Sequence, residues 1–173
     1  MLMDFFGYSI PVPKLCFAIT ANSTLPSTDA IAVKSSAGNL TEVCFVESKL
    51  RIRDDSSIAK KGYSQLVSDY SKKFPDMIRF VTEQLLRDDD PLANSFLAYL
   101  FDRRETVARE SFFLGLVCDQ TSWSENALAN LEAEITDPTL PRVMVAAVRI
   151  KSLEDLSDKL FRSIGITQVL EDD

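Results

Sequence analysis

The sequence predicts an α/β fold, a mixed central sheet with flanking helices, and three observations point to it. Strand-like apolar runs cluster before residue 52, and after Arg51-Ile52-Arg53 the apolar period lengthens to helical spacing. From residue 112 onward, strand-length and helix-length segments alternate. Read in order, the chain gives three strands, helices, then strand, helix, strand, helix, which is the pattern of a layered α/β domain.

Met1 to Lys14 opens on an apolar cluster and runs into Pro11-Val12-Pro13, where fixed φ angles favour an extended or turning path. A domain seldom opens on apolar residues without more chain to pack against, so residues 1–14 are expected to be a shortened or atypical N-terminal element. Leu15 to Thr20 reads as a short strand and Ala21 to Thr28, with Pro26, as a polar loop. Asp29-Ala30-Ile31-Ala32-Val33 and Val43-Cys44-Phe45-Val46-Glu47-Ser48-Lys49 are the next two strands. The segment between them contains Lys34-Ser35-Ser36-Ala37-Gly38-Asn39, which has hairpin turn chemistry.

From Ser57 to Leu86, Ile58, Leu66, Tyr70, Phe74, Ile78, Val81 and Leu85 recur mostly at helical intervals, and Pro75 is expected to split the segment into two helices. Asp90 as N-cap and Pro91 at the first helical position start another helix, which buries Leu92, Phe96, Leu97 and Leu100. Phe112 to Cys118 is a continuous apolar run, as in a strand covered on both faces. A helix over Glu125 to Ile135, punctuation at Asp137-Pro138 and Pro141, and a strand from Arg142 to Ile150 follow. Ser152 caps a last helix carrying Leu153, Leu156, Leu160 and Phe161, with Gly165 at its C-terminal turn.

With 173 residues, 46% of them apolar, the chain can build one core, so residues 1–173 are read as a single domain. No run approaches the roughly 20 apolar residues that span a bilayer, and Asp4 stands where a signal peptide carries positive charge. A cytoplasmic protein without membrane contact is expected, and Cys16, Cys44 and Cys118 are expected to be reduced and buried. The sequence has no histidine, which excludes Ser-His and Cys-His catalysis and His-ligated metal sites. The net charge of -7 argues against a free-standing nucleic-acid binder, because phosphate contacts need a basic surface. If the chain acts on DNA, a partner brings it there.

Alternation along a strand points Glu47 and Lys49 to one face. Folding the hairpin back brings Asp29 to the same end of the sheet. Asp29, Glu47 and Lys49 are then the minimum set for metal-assisted phosphodiester hydrolysis. Asp29 and Glu47 would hold a divalent ion, Mg2+ or Mn2+, together with the backbone carbonyl of Ser48, since such ions take oxygen ligands. Lys49 would orient the attacking water and offset transition-state charge. The plain alternative is a solvated Glu-Lys pair at a strand end, with Asp29 as a turn residue after Pro26-Ser27-Thr28.

Asp29 followed, after seventeen intervening residues, by Glu47-Ser48-Lys49 resembles the core of the PD-(D/E)XK nuclease superfamily, whose restriction-endonuclease-like fold sets a strand hairpin between helices in an αβββαβ order. The order of elements from about residue 15 to 164 is similar to the nuclease subunit of the Hachiman antiphage defence system. That resemblance implies a metal-dependent deoxyribonuclease acting as the effector of a hetero-oligomeric defence complex with a helicase partner. It departs in two places. The relatives carry a longer helical region with a glutamate before the hairpin, where this chain has Met1 to Lys14 with Asp4 as its sole acid. They also read Gly-Glu-Ala-Lys where this chain reads Val46-Glu47-Ser48-Lys49. The alternatives are a non-catalytic binding or assembly module of the same fold, and a repair or Holliday-junction nuclease, which the charge of -7 disfavours.

Arg51, Arg53, Lys60 and Lys61, with Lys72 and Lys73, form the most basic part of the chain and are candidates for a DNA-facing rim; the alternative is a solvated helix face. Gln65 is a further DNA-side or site candidate. Some nucleases of the superfamily place Gln and Tyr four apart, whereas Gln65 and Tyr70 are five apart and do not stack on one helix face. Asp119 at a strand end either adds a carboxylate or caps a turn with Ser122 and Ser124, and the cap is favoured. Trp123 reads as a packing residue.

Overall fold

A computed structural model of the chain describes residues 6–12, 28–51, 55–103, 109–124, 126–135, 140 and 142–163. The expected strand Leu15 to Thr20, together with Asp4, Cys16, Pro26, Arg53, Glu125, Asp137-Pro138, Pro141 and Gly165, lies outside the described residues. Strand β1 (Ala30–Ser36) and strand β2 (Asn39–Arg51) form the expected hairpin. Ala37 and Gly38 close it with φ of 49° and 79°, the positive pair that a tight two-residue turn needs to match strand twist. The register slips between Lys34 and Ser35, where Lys34 pairs with Glu42 and Ser35 with Leu40. Thr41 is the extra residue of this bulge, and its hydroxyl donates to the Lys34 carbonyl at 3.1 Å.

Helix α1 (Ile58–Arg87) and helix α2 (Ala93–Phe101) cross to β3 (Arg109–Asp119), which lies parallel to β2. A short 3-10 turn (Gln120–Ser122) and helix α3 (Asn126–Glu134) lead to β4 (Val143–Ile150), parallel to β3, and helix α4 (Leu153–Ser163) follows. The described sheet therefore runs β1-β2-β3-β4, with one antiparallel and two parallel pairings. The mixed α/β architecture is the one expected from the sequence. No helix among the described residues is long and apolar enough to cross a membrane.

The expected break at Pro75 does not occur: α1 is one continuous 30-residue helix with Pro75 inside it. A helix-interior proline costs about 3 kcal/mol through its lost N–H and its clash with the carbonyl four residues earlier. Pro75 and Ser71 both face solvent, so water can serve that carbonyl. Beyond Pro75, Met77, Ile78, Val81 and Leu85 are all buried on the same helix, and each large apolar side chain contributes about 1.5–3 kcal/mol on burial. Packing outweighs the proline.

The main core lies between α1 and one face of the sheet. Val43 and Phe45 of β2, Ile31 and Val33 of β1, and Phe112, Leu114 and Leu116 of β3 meet Leu66, Phe74 and Ile78 of α1 and Phe96 and Tyr99 of α2. Glu110 ties these layers together, accepting from Tyr99 Oη at 2.5 Å, from Arg103 Nη2 at 2.6 Å and from Tyr70 Oη. A smaller cluster, Tyr8, Ala32, Cys44, Val46 and Phe113, fills the opposite face. There Tyr8 Oη donates to Glu42 at 2.5 Å and anchors residues 6–12 over the hairpin. Cys44 and Cys118 are free and buried, as expected. Asp90 accepts from the Leu92 amide at 2.8 Å, but α2 starts only at Ala93. Leu97, expected to be buried, is exposed because its helix face turns to solvent. Ser152 caps α4 as expected, its hydroxyl accepting from the Asp155 amide at 3.1 Å.

Candidate active site

β2 outruns β1. The last β1 pair is Ala30 with Val46, and the Asp29 amide then donates to the Val46 carbonyl at 3.0 Å. From Glu47 to Arg51, β3 is the only strand neighbour of β2 among the described residues, with Glu47 opposite Leu114 and Lys49 opposite Leu116. A strand residue turns its N–H and C=O to the same neighbour. The Ser48 amide donates to Asp29 Oδ2 at 2.6 Å, so the Ser48 carbonyl also faces the Asp29 side, past the end of β1. Thr28 fixes the approach: it is buried, and its hydroxyl donates to Met77 Sδ on α1 at 3.0 Å.

Glu47 and Lys49 share the face that α1 covers. Lys49 Nζ donates to Glu47 Oε1 at 2.5 Å. Glu47 is 3% exposed, and its second oxygen, Oε2, is buried without a hydrogen-bond partner among the described residues. Burial pushes the Glu47 carboxyl above its ordinary value, against the pull of Lys49, and the charges of Asp29 and Asp69 add to the rise. A buried carboxylate oxygen left without a partner is costly, and a cation bound there would offset that cost.

Gly62 brings α1 down onto this end of the sheet. A Cβ at Gly62 would stand 2.4 Å from Leu114 Cδ1 and 3.4 Å from Lys49 Cγ, so only glycine allows the approach. Further along α1, Tyr70 packs on Phe45 with ring centroids 5.3 Å apart. Eight helical residues rise about 12 Å, and four strand residues about 13 Å, so the stretch between Gly62 and Tyr70 spans Lys49 back to Phe45. Gln65 and Asp69 therefore flank Glu47.

The structure brings Asp29, Glu47, Ser48 and Lys49 together as the hairpin predicts. Among the basic candidates, Arg51 Nε lies 3.6 Å and Lys61 Nζ 3.0 Å from Asp55, which also accepts from the Ser57 amide and hydroxyl. Asp55 thus offsets much of the charge expected of that rim, and this contact is why Arg51 and Lys61 do not form an unopposed basic face. Lys60 and Lys72 are exposed on α1, and Lys73 ion-pairs with Asp69 at 3.2 Å. Gln65 and Tyr70 diverge as their spacing requires, Gln65 donating to Asp69 and Tyr70 to Glu110. Asp119 is a cap, accepting from the Thr121 amide and hydroxyl and, at 3.1 Å, from the Leu153 amide at the start of α4. Those bonds hold its carboxyl below the ordinary value. Trp123 packs against the main core.

Asp69 is the site residue that the sequence reading missed. It is 1% exposed on α1, in register with Gly62 and Leu66, and a carboxylate on that buried stripe was the available signal. Among the described residues no three His, Cys, Asp or Glu side chains converge closely enough to hold a metal ion. Asp29 is bonded to the Ser48 amide next to Glu47, and the all-oxygen set of Asp29, Glu47 and the Ser48 carbonyl fits the chemistry of a hard divalent cation that keeps several waters. A family model described as HamA matches residues 1–164 of the chain. A search of curated proteins finds no match.

Proposed function

The chain belongs to the HamA family, a component of the Hachiman antiphage defence system that works with a partner, and we propose that it is the system's divalent-metal-dependent DNA nuclease, of PD-(D/E)XK type. The observation that carries this reading is the buried, unpartnered Glu47 Oε2 beside Asp29 and Lys49. Asp29, Glu47 and the Ser48 carbonyl would hold Mg2+ or Mn2+. Such an ion, when bound, lowers the pKa of its water and offsets charge on the scissile phosphate.

The chain's own groups do the remaining work. The Ser48 amide fixes the Asp29 carboxylate through Oδ2. Glu47 Oε1 holds the Lys49 ammonium, which orients the attacking water and offsets charge developing on the phosphate. The cover of α1 over Glu47 lowers the local dielectric, so each of these charges acts more strongly than it would in water. A helicase partner supplies the DNA, in keeping with a net charge of -7.

The test is cleavage of DNA by the protein with its partner, in Mg2+ or Mn2+, beside Glu47→Ala and Lys49→Ala. Each variant should lose on the order of 10²–10³ in rate. Equal cleavage by all three proteins removes the assignment. Calorimetric titration with Mn2+ separates a nuclease from a non-catalytic assembly module, which would bind no metal even with DNA and partner present.

A further inference from the structure

Gln65 donates through Nε2 to Asp69 Oδ2 at 2.7 Å, and Asp69 is 1% exposed. Gly62, Gln65, Asp69 and Lys73 lie within about 80° of arc on α1, at about 100° per residue. This stripe begins over Lys49, where a Gly62 Cβ would be 3.4 Å from Lys49 Cγ. The Phe45 and Tyr70 contact fixes its other end, which leaves Glu47 beneath Gln65 and Asp69.

We propose that Asp69 is a positioning residue, which locks the amide of Gln65 so that its carbonyl oxygen accepts a hydrogen bond from the attacking water at the Glu47 and Lys49 site. The reasoning is electrostatic. An amide flip would set the Gln65 oxygen against a buried carboxylate, so Asp69 makes one orientation strongly preferred. Asp69 lies one helical turn C-terminal to Gln65, so Nε2 points that way and Oε1 turns away, toward the Lys49 end. Lys73, 3.2 Å from Asp69 Oδ1, offsets the charge of the positioning group. A phosphate oxygen has no hydrogen to donate, whereas a water has, so the Gln65 carbonyl suits the attacking water and not the phosphate. Glu47 lies beneath this stripe, so Gln65 and Lys49 would address the same water from two sides.

This inference rests on the nuclease reading, and a double-mutant cycle with a Glu47→Ala control distinguishes the two. Cleavage of DNA by the protein with its partner in Mn2+ is measured for wild type, Gln65→Ala, Asp69→Asn and the double variant, with apo-protein melting temperatures alongside. Asp69→Asn keeps the side-chain shape but permits the amide flip. Both single variants should lose about tenfold in kcat, as second-layer changes do, with KM for DNA and Mn2+ affinity by calorimetry unchanged. The double variant should be no slower than Gln65→Ala alone. Additive losses, an unchanged kcat in Asp69→Asn, or a loss that appears in KM overturns the positioning role while leaving the nuclease reading intact. A wild type that does not cut, or that cuts no faster than Glu47→Ala, overturns both.

Discussion

Replacing Glu47 with Gln should stabilise the metal-free protein and destroy its response to metal. Glu47 is 3% exposed with Oε2 unpartnered, and a buried polar group left unmade costs about 1–3 kcal/mol, more when charged. Lys49 recovers part of that through Oε1, but its side chain is 24% exposed and screened by water. The amide keeps an acceptor for Lys49 and removes the buried charge together with its repulsion from Asp29 and Asp69. The net gain expected is about 1–2 kcal/mol at neutral pH. With a urea m-value of about 2 kcal/mol/M, that moves the midpoint up by about 0.5–1 M in EDTA.

The pH dependence has a definite sign. The folded Glu47 carboxyl lies above its ordinary value of 4.5, so between the unfolded and folded values the native state holds more protons than the unfolded chain. Stability contributed by this group therefore falls as pH rises through that window, and the penalty is complete above the folded value. The advantage of Glu47→Gln should be small near pH 4.5 and should grow to its full size above it. Saturating Mn2+ should reverse the ranking, since a ligand at 100 times its Kd stabilises the native state by about 2.7 kcal/mol. Urea melts of both proteins across pH, with EDTA or Mn2+, give all of these quantities. A Glu47→Gln protein less stable than wild type in EDTA, or an equal gain from Mn2+ in both, refutes the reasoning.

Two substitutions on α1 test how the helix is seated. Gly62→Ala would normally strengthen a helix, but its Cβ would meet Leu114 Cδ1 at 2.4 Å, so it should destabilise by about 1–3 kcal/mol, and Leu114→Val should rescue it in calorimetry. Pro75→Ala restores a helical N–H on the exposed side and should stabilise by up to about 3 kcal/mol in chemical denaturation.

The parts of the fold written in local chemistry were legible. The apolar runs at 30–33, 43–46 and 112–118 and the Ala37-Gly38 turn each dictate an element from neighbouring residues alone, and the structure follows them. Pro75 misled because its local penalty is overridden by burial of residues that lie turns away. Leu97 was placed inside because helical spacing identifies a stripe but not what lies opposite it. Within the site, Asp29, Glu47 and Lys49 were readable because a hairpin converts sequence separation into adjacency with few alternatives. Asp69 was not, because its placement depends on the packing angle and height of α1 over the sheet, which Gly62, Leu114 and the Tyr70 and Phe45 contact fix only in three dimensions. The same holds for Asp55, whose capture of Arg51 and Lys61 depends on how the chain turns from β2 into α1.

Strand lengths account for where the candidate chemistry sits. Had β1 extended two residues further, a β1 backbone group would occupy the Ser48 amide and carbonyl in ordinary ladder bonds. Because regular pairing stops at Ala30, the Ser48 amide takes the Asp29 carboxylate instead, and its carbonyl faces the same opening. Meanwhile β3 continues to pair with the overhang as far as Arg51, so it stays in the sheet, with its other edge unpaired among the described residues. A rigid strand with one edge withheld from its neighbour can present backbone oxygen and carboxylates together without a loop to order. The hairpin's early stop is thus part of the site, and Asp29 has two duties there, ending the β1 ladder and supplying a carboxylate beside Glu47.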